Sequence, residues 1–190
     1  MGKKKRVAVF VDRDGTLMHE AHYISDPRKV RLYKDVDKSL VALRKAGFLV
    51  IILSNQSGIG RGWVTRNEVK LVNRRMLKLL RKSVKADIDA IYYCPHAPQD
   101  GCKCRKPKTM LIKTAQKRFN IDLKRSFLIG DKNTDIELGF NVGAKTILVM
   151  TGYGREHLGY MKKAGKLPDF TAHRFTTATK WILGKHFKHN

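Results

Sequence analysis

The chain has 190 residues, 40 Lys and Arg against 16 Asp and Glu, a formal net charge of +24 and a pI near 10.3. Its 42% hydrophobic and 29% charged content is that of a globular domain and excludes a disordered polyelectrolyte. Apolar runs of five or six residues, as at 48–53, exclude a transmembrane helix.

In chain order, the basic run at 3–6 reads as a solvated lead-in to a strand at 7–11. That apolar stretch is too short for a signal peptide and ends in charge, so a cytoplasmic protein is expected. Asp12-Arg13-Asp14-Gly15-Thr16 follows directly. Two carboxylates so close repel one another unless they share a cation or a proton. A helix at 35–46 places Val36, Leu40 and Leu43 on one face and stops at Gly47. A strand at 49–53 runs into Ser54-Asn55-Gln56-Ser57-Gly58. A helix at 65–85 opens on the capping box Thr65-x-x-Glu68, with Val69, Val72, Met76, Leu79 and Leu80 as its apolar stripe. Its outer face carries Arg74, Arg75, Lys78, Arg81, Lys82 and Lys85. This face reads as solvated rather than as a polyanion surface, because it lacks interleaved aromatics for base stacking. The excess charge is spread along the chain, with +6, +5, +7 and +6 in residues 1–50, 51–100, 101–150 and 151–190.

A strand at 90–93 leads into Cys94-Pro95-His96 and then Cys102-Lys103-Cys104. Three thiols and one imidazole within eleven residues fit a disulfide framework poorly and a closed tetrahedral zinc site well. Thiols kept for a metal also suit a reducing compartment. A helix at 110–119, a strand at 126–129, Gly130-Asp131-Lys132, a helix at 135–142, a strand at 145–150 and a closing helix at 177–187 complete the pattern. Residues 155–168 are expected to be the loosest stretch. Trp181 is expected in the core, and His157, His173, His186 and His189 on the surface. His19 and His22 could face a site mouth, and Trp63 could wall it or simply pack.

Alternation of strand and helix specifies an α/β, three-layer Rossmann-like fold with a mainly parallel sheet, expected to be one domain over 1–190. Ligands bind beyond the carboxyl ends of such strands. Three polar clusters, at 12–16, 54–58 and 130–132, each follow a strand and should converge there. Asp12, Asp14, Asp131 and Asp135 would then form a hard-oxygen site suited to Mg²⁺. A carboxylate beside a divalent ion can attack phosphorus, and a second can protonate the leaving oxygen. Ser54, Lys106 and Lys132 are candidate donors to the phosphoryl oxygens. No Gly-x4-Gly-Lys-Ser/Thr loop occurs.

The ordered set Asp12-x-Asp14-Gly15-Thr16, Ser54-Asn55-Gln56, Lys106 and Gly130-Asp131-x3-Asp135 resembles the haloacid dehalogenase (HAD) phosphatase superfamily over residues 7–150. More narrowly, Asp-Arg-Asp-Gly-Thr, Asn-Gln-Ser-Gly-Ile and Cys-Arg-Lys-Pro resemble the D-glycero-D-manno-heptose 1,7-bisphosphate 7-phosphatases and their sister histidinol-phosphate phosphatases. Gly58-Ile59-Gly60-Arg61-Gly62 and Thr151-Gly152-Tyr153-Gly154 lean toward the heptose side.

The resemblance implies a capless fold in which Asp12 is the nucleophile and Asp14 the general acid/base. Asp12, the Asp14 backbone carbonyl and Asp131 would hold Mg²⁺, supported by Asp135. Ser54 and Lys106 would stabilise the transferring phosphoryl group. Arg105, Lys132, Glu20, Ala21, His22, Tyr23, Asn55, Gln56 and Ser57 would contact substrate. Cys94, His96, Cys102 and Cys104 would hold a structural Zn²⁺ that pins the loop before Arg105-Lys106. Ser54 stands where the family has Thr, and Glu20-Ala21-His22-Tyr23 where Asp-His-Gly-Tyr is usual. The latter departure bears on substrate choice more than on chemistry.

The implied reaction is removal of the 7-phosphate through an aspartyl-phosphate, by a monomer acting on a small phosphorylated metabolite with no membrane partner. The alternative histidinol phosphate carries a cationic amine and would need an acidic or apolar wall, for which Glu20 is the candidate. A nucleic-acid 3′-end phosphatase would share the Asp-x-Asp-Gly-Thr and Asn-Gln motifs and suit +24. The zinc loop and the even spread of charge argue against it. A non-catalytic binding module would not need the complete motif set.

Overall fold

The structure, a computed structural model, describes residues 4–81 and 87–186. Its described elements are β1 (Ala8–Val11), α1 (Val36–Lys45), β2 (Leu49–Asn55), α2 (Ser57–Gly60), α3 (Arg66–Leu80), β3 (Ala90–Cys94), α4 (Met110–Phe119), β4 (Phe127–Gly130), α5 (Asn133–Val142), β5 (Lys145–Val149), α6 (Gly154–Lys163), β6 (Phe170–Ala172) and α7 (Phe175–His186). Short 3₁₀ turns occupy Pro27–Lys29, Pro98–Asp100 and Leu123–Arg125.

The strands form one parallel sheet in the order β3-β2-β1-β4-β5-β6. The chain leaves β1 toward β2 and β3, then crosses back to build β4 on the other side of β1. That reversal opens a crevice beyond the carboxyl ends of β1 and β4, where open α/β sheets bind ligands.

Buried β1 shows why the fold has three layers. Alternate residues of a strand point to opposite faces. Val9 and Val11 join a core with Leu40, Met76, Phe175 and Ile182, from α1, α3 and α7. Ala8 and Phe10 join another core with Leu111, Ile112 and Ala115 of α4. Each large apolar side chain buried this way contributes roughly 1.5–3 kcal/mol. The central strands therefore carry no polar face, and their runs of Val, Ile and Leu follow from burial on both sides.

The capping box of α3 forms as the sequence specifies: Thr65 Oγ1 accepts from Glu68 N at 3.1 Å, and Glu68 Oε2 accepts from Thr65 N at 2.6 Å. Other expectations need correction. The stretch expected to be loosest holds α6, whose apolar stripe is reduced to Leu158 and Met161 packed near Ile136 and Leu148. Strand β6 was not expected; it is three residues long and buries only Ala172 fully. Strand β2 continues through Asn55, so Ser54 and Asn55 lie within it. Helix α5 starts at Asn133, two residues early. Trp181 is half-buried rather than central, stacking on Phe170 at 5.0 Å. Of the expected α3 extension, Lys82 and Lys85 lie outside the described residues, as do Lys3, Phe187 and His189.

Candidate active site

Three strand ends deliver the carboxylates. Asp12 follows β1 and its N–H donates to Ile129 O of β4 at 2.9 Å. Asp131 follows β4, and Asp135 lies in the first turn of α5. All three are buried, and one oxygen of each lies within 4.8 Å of the others. Lys106 sits among them with its side chain 4% exposed. Its Nζ donates to Asp12 Oδ1 at 2.6 Å and Leu53 O at 2.7 Å, and pairs with Asp135 Oδ1 at 2.6 Å.

Such packing perturbs ionisation. Burial, with Asp135 and Asp14 nearby, pushes Asp12 up to about 6 even against Lys106. Burial, then Asp12 and Asp135, pushes Asp131 up to about 8. The Lys106 ammonium is held well above its ordinary value by the two carboxylates it touches, which outweigh its own desolvation. Asp131 Oδ2 accepts from Tyr153 N at 2.9 Å, but its Oδ1 is buried with no hydrogen-bond partner. A buried anionic oxygen without a donor costs free energy unless a cation meets it. The residues therefore fit a hard divalent ion: carboxylate oxygens only, one of them orphaned, with too much negative charge for one lysine.

Glycine makes the approach possible. Gly15, at φ 77°, would place a Cβ 2.1 Å from Asp131 Oδ2, and Gly152, at φ 55°, one 2.2 Å from the same atom. Any larger residue at either position would displace Asp131. Thr151 Oγ1 donates to Gly15 O at 2.6 Å and ties the two loops together.

The side chain of Asp14 turns away from this cluster. Its Oδ2 accepts from Gln56 Nε2 at 2.8 Å, and both oxygens accept from Arg13 at 3.0 Å. Arg13 is 1% exposed and donates its Nη1 to Asn73 Oδ1 of α3 at 2.8 Å. Arg13 and Asn73 escaped sequence reasoning. Arg13 fills the free position of the motif, and Asn73 has the pattern of an ordinary helix residue.

Ser54 Oγ accepts from Gln56 Nε2 at 2.7 Å. Asn55 uses both ends of its amide on one residue: Nδ2 donates to Lys106 O at 3.2 Å, and Oδ1 accepts from Lys106 N at 2.9 Å. Its side chain thus holds Lys106, and the residue also lines the adjoining cavity.

These groups line a cavity of about 400 Å³. One wall carries Ser57, Arg105 and Lys132, and Arg105 Nη1 is buried without a partner. Lys132 Nζ lies 3.6 Å from Glu20 Oε2 and 4.6 Å above the Tyr153 ring. The lining also carries His22 and Tyr23, both in the left-handed region, at φ 36° and 57°. His22 Nδ1 lies 3.3 Å from Tyr153 Oη. Ala21 is exposed and does not line the cavity, whereas Glu20 does. Trp63 is exposed and meets Tyr23 edge-on at 4.6 Å without lining the cavity. His19 packs on Tyr33 at 4.0 Å and does not line it either.

His157 needs correction. Expected on the surface, it is half-buried and lines the cavity beside Glu156, and its Nδ1 has no partner. Desolvation holds it below its ordinary value, so it is neutral at pH 7. The helix that carries it was not expected, so no sequence signal gave it a face.

The thiol and imidazole cluster lies at the end of β3. Cys94 Sγ is 3.6 Å from His96 Nδ1, 3.6 Å from Cys102 Sγ and 3.0 Å from Cys104 Sγ, and His96 Nδ1 is 3.2 Å from Cys104 Sγ. With Zn–S near 2.3 Å and Zn–N near 2.0 Å, tetrahedral donor atoms stand roughly 3.5–3.8 Å apart. The donor types fit zinc, as do the two 3.6 Å spacings, while the two to Cys104 are shorter. Gln56 N donates to Cys94 O and Gly60 N to Pro95 O, both at 2.7 Å, so the loop is sewn to the end of β2 and to α2.

Comparison with known proteins places these features. The family described as HAD-hydrolase-like matches residues 103–178. A protein of Thermosynechococcus vestitus named D-glycero-D-manno-heptose-1,7-bisphosphate 7-phosphatase is 36% identical over 187 residues, covering 93% of this chain and 95% of its own. The histidine biosynthesis bifunctional protein HisB of Blochmanniella floridana is 38% identical over 142 residues, covering 73% of this chain but 40% of its own. Among solved structures, D,D-heptose 1,7-bisphosphate phosphatase from B. bronchiseptica, complexed with magnesium and phosphate, superposes with a TM-score of 0.85 at 26% identity, covering 94% of this chain and 99% of its own.

Proposed function

The chain belongs to the HAD-type D-glycero-D-manno-heptose-1,7-bisphosphate 7-phosphatase family, and from that premise we propose that it removes the 7-phosphate of this sugar bisphosphate in a Mg²⁺-dependent reaction. The observation that carries the reading is the buried Asp12, Asp131 and Asp135 group with Lys106, of which Asp12, Asp135 and Lys106 line a cavity that also holds Arg105 and Lys132.

Asp12 and Asp131, with the Asp14 main-chain carbonyl and Asp135 behind them, would hold Mg²⁺, which when bound neutralises charge on the phosphoryl oxygens. Asp12 attacks phosphorus in line with the C7 oxygen. The P–O bond to Asp12 forms as the bond to the C7 oxygen breaks, and Asp14 gives its proton to the departing oxygen. Water then attacks phosphorus, Asp14 takes its proton, and Asp12 departs as a carboxylate. Inorganic phosphate and the heptose 1-phosphate are released. Lys106 and Ser54 hold the charge that develops on the phosphoryl oxygens. Arg105, with a buried unpartnered Nη1, and Lys132 face the cavity as binders of the phosphate that is not cleaved. His22, Tyr23, Gln56 and Ser57 line the same cavity and would contact the sugar.

Zinc on Cys94, His96, Cys102 and Cys104 closes the loop that presents Arg105 and Lys106, and takes no part in chemistry. On this reading the protein is a single-domain monomer of a reducing cytoplasm, the compartment that keeps such thiols for a metal.

The HisB likeness keeps histidinol phosphate as the other substrate to test. Its amine needs a carboxylate, and Glu20 is already engaged with Lys132, which leaves Glu156 among the described lining residues outside the catalytic group. Phosphate release with Mg²⁺ should favour the heptose bisphosphate over histidinol phosphate and over a 3′-phosphorylated oligonucleotide. Preference for either of the latter overturns the assignment. Asp12→Asn should abolish turnover of all three.

A further inference from the structure

The far end of the sheet holds another cavity, of about 490 Å³, lined by Val7, Lys124, Arg125, Phe127, Trp181 and Lys185. Lys145 and Asp169 complete its rim as a 2.8 Å ion pair. The other Asp169 oxygen accepts from Thr146 N and Thr146 Oγ1 at 2.9 Å. This carboxylate is therefore fully engaged, and the described lining keeps a net charge of +3 from its Lys, Arg and Asp residues.

The wall between these cations is aromatic. Trp181 stacks on Phe170 with an interplanar angle of 5° and meets Phe127 edge-on at 6.1 Å. The indole is thus fixed and partly buried, with Lys185 Nζ 5.8 Å from its ring centroid.

Connectivity concentrates more positive charge at this end. In a parallel sheet each helix returns to the starting edge of the next strand, so its last turn lies there. The last turns carry Arg44 and Lys45 in α1, Lys117 and Arg118 in α4, and Lys185 in α7. The turn before β4 adds Lys124 and Arg125. One cation per helix would serve the helix dipole. Arg44 is paired with Asp89, and Arg44, Lys45, Lys117 and Arg118 lie outside the cavity's lining. The lining cations Lys124, Arg125 and Lys185 beside the aromatic wall supply what a nucleotide unit needs: an apolar surface for the base and cations for its phosphate. Arg74 and Lys78, two exposed cations of α3, do not line this cavity.

We propose that this cavity is a docking site for single-stranded nucleic acid, with a base against Trp181 and the phosphodiester backbone on Lys124, Arg125 and Lys185. The site opens at the strand starts, a strand's length or roughly 13 Å from the catalytic carboxylates, so occupancy should leave phosphatase turnover unchanged.

The test is fluorescence anisotropy of a fluorescein-labelled 12-nucleotide strand with the full chain. Contacts to three or four phosphates predict a log–log salt slope of roughly −2 to −3. Lys124→Glu/Arg125→Glu should weaken binding at least about tenfold, and Trp181→Leu by roughly 5- to 150-fold. Arg74→Glu/Lys78→Glu, which removes equal charge elsewhere, should change it less than about twofold. Lys124 and Arg125 are exposed, so their variant should fold and keep its phosphatase rate. Equal loss from the two charge-reversal pairs would mean non-specific attraction and overturn the site. So would a mononucleotide that binds as tightly as the strand, or displacement of the strand by anionic phosphatidylserine vesicles.

Discussion

At the scale of single residues, the site is an arrangement of carboxylates whose neighbours assign them different work. Burial raises Asp12 to about 6, helped by Asp135 and Asp14, and Asp131 to about 8, helped by Asp12 and Asp135. Mg²⁺ needs them deprotonated, so its binding should expel protons below pH 8 and weaken as pH falls toward 6. Calorimetry in buffers of different ionisation enthalpy would measure that release, and a pH-independent affinity would contradict it. The sign for stability follows. Between the unfolded carboxylate value near 4 and these raised values, the folded metal-free chain binds more protons than the unfolded chain. Metal-free stability should therefore fall as pH rises from about 4 to 8, and Mg²⁺ should raise the Tm more at pH 8 than at pH 5.

Asp14 faces the other way, gripped by Arg13 and Gln56. Arg13→Met should lower kcat by roughly 10- to 100-fold, part of what a placed acid–base group supplies. KM should change little, since the Arg13 side chain is buried.

At the scale of elements, Lys106 depends on two supports that can be separated. The loop of Cys94, His96, Cys102 and Cys104, proposed to hold zinc, brings the chain to Arg105 and Lys106, and Asn55 at the end of β2 holds the Lys106 main chain. Cys102→Ser should lose zinc and lower kcat/KM. Asn55→Ala should lower kcat by about 10- to 100-fold while zinc content stays at one per chain. Parallel metal analysis and kinetics would separate the two.

Legibility in the sequence divided along the same lines. Continuous apolar runs exposed five of the strands, most plainly β1, β2 and β4, where burial on both faces leaves few polar residues to confuse the period. The carboxylates and the zinc donors were legible because each chemistry demands particular residue types at a strand end. Helix α6 was hidden by its short apolar stripe, and β6 by its single fully buried residue. With α6 hidden, His157 could not be placed in the cavity. The contact of Arg13 with Asn73 joins residues 60 apart in sequence, which no local pattern reports.

At the scale of the whole molecule, an acidic metal-binding edge sits within a chain of net charge +24. A field of that sign concentrates anionic substrates at a cavity mouth. The heptose bisphosphate kcat/KM should therefore fall as ionic strength rises from 10 to about 150 mM, where the Debye length shortens from about 30 to 8 Å, with kcat nearly constant. A salt-independent kcat/KM would show that the excess charge does not serve substrate capture.

The strand order also sets a timetable for the newborn chain. Strand β1, which ends at Val11 just before Asp12, lies in the middle of the sheet, and its partner β4 begins at Phe127. Ala8 N donates to Ser126 Oγ across 118 residues. On the ribosome, β1 can pair with β2 early but must wait with its other edge bare while some 70 further residues are made. At 5–20 residues per second this is roughly 4–14 s. Catalytic competence thus arrives late in synthesis, and chaperones that shield a bare β1 edge have their window in that interval.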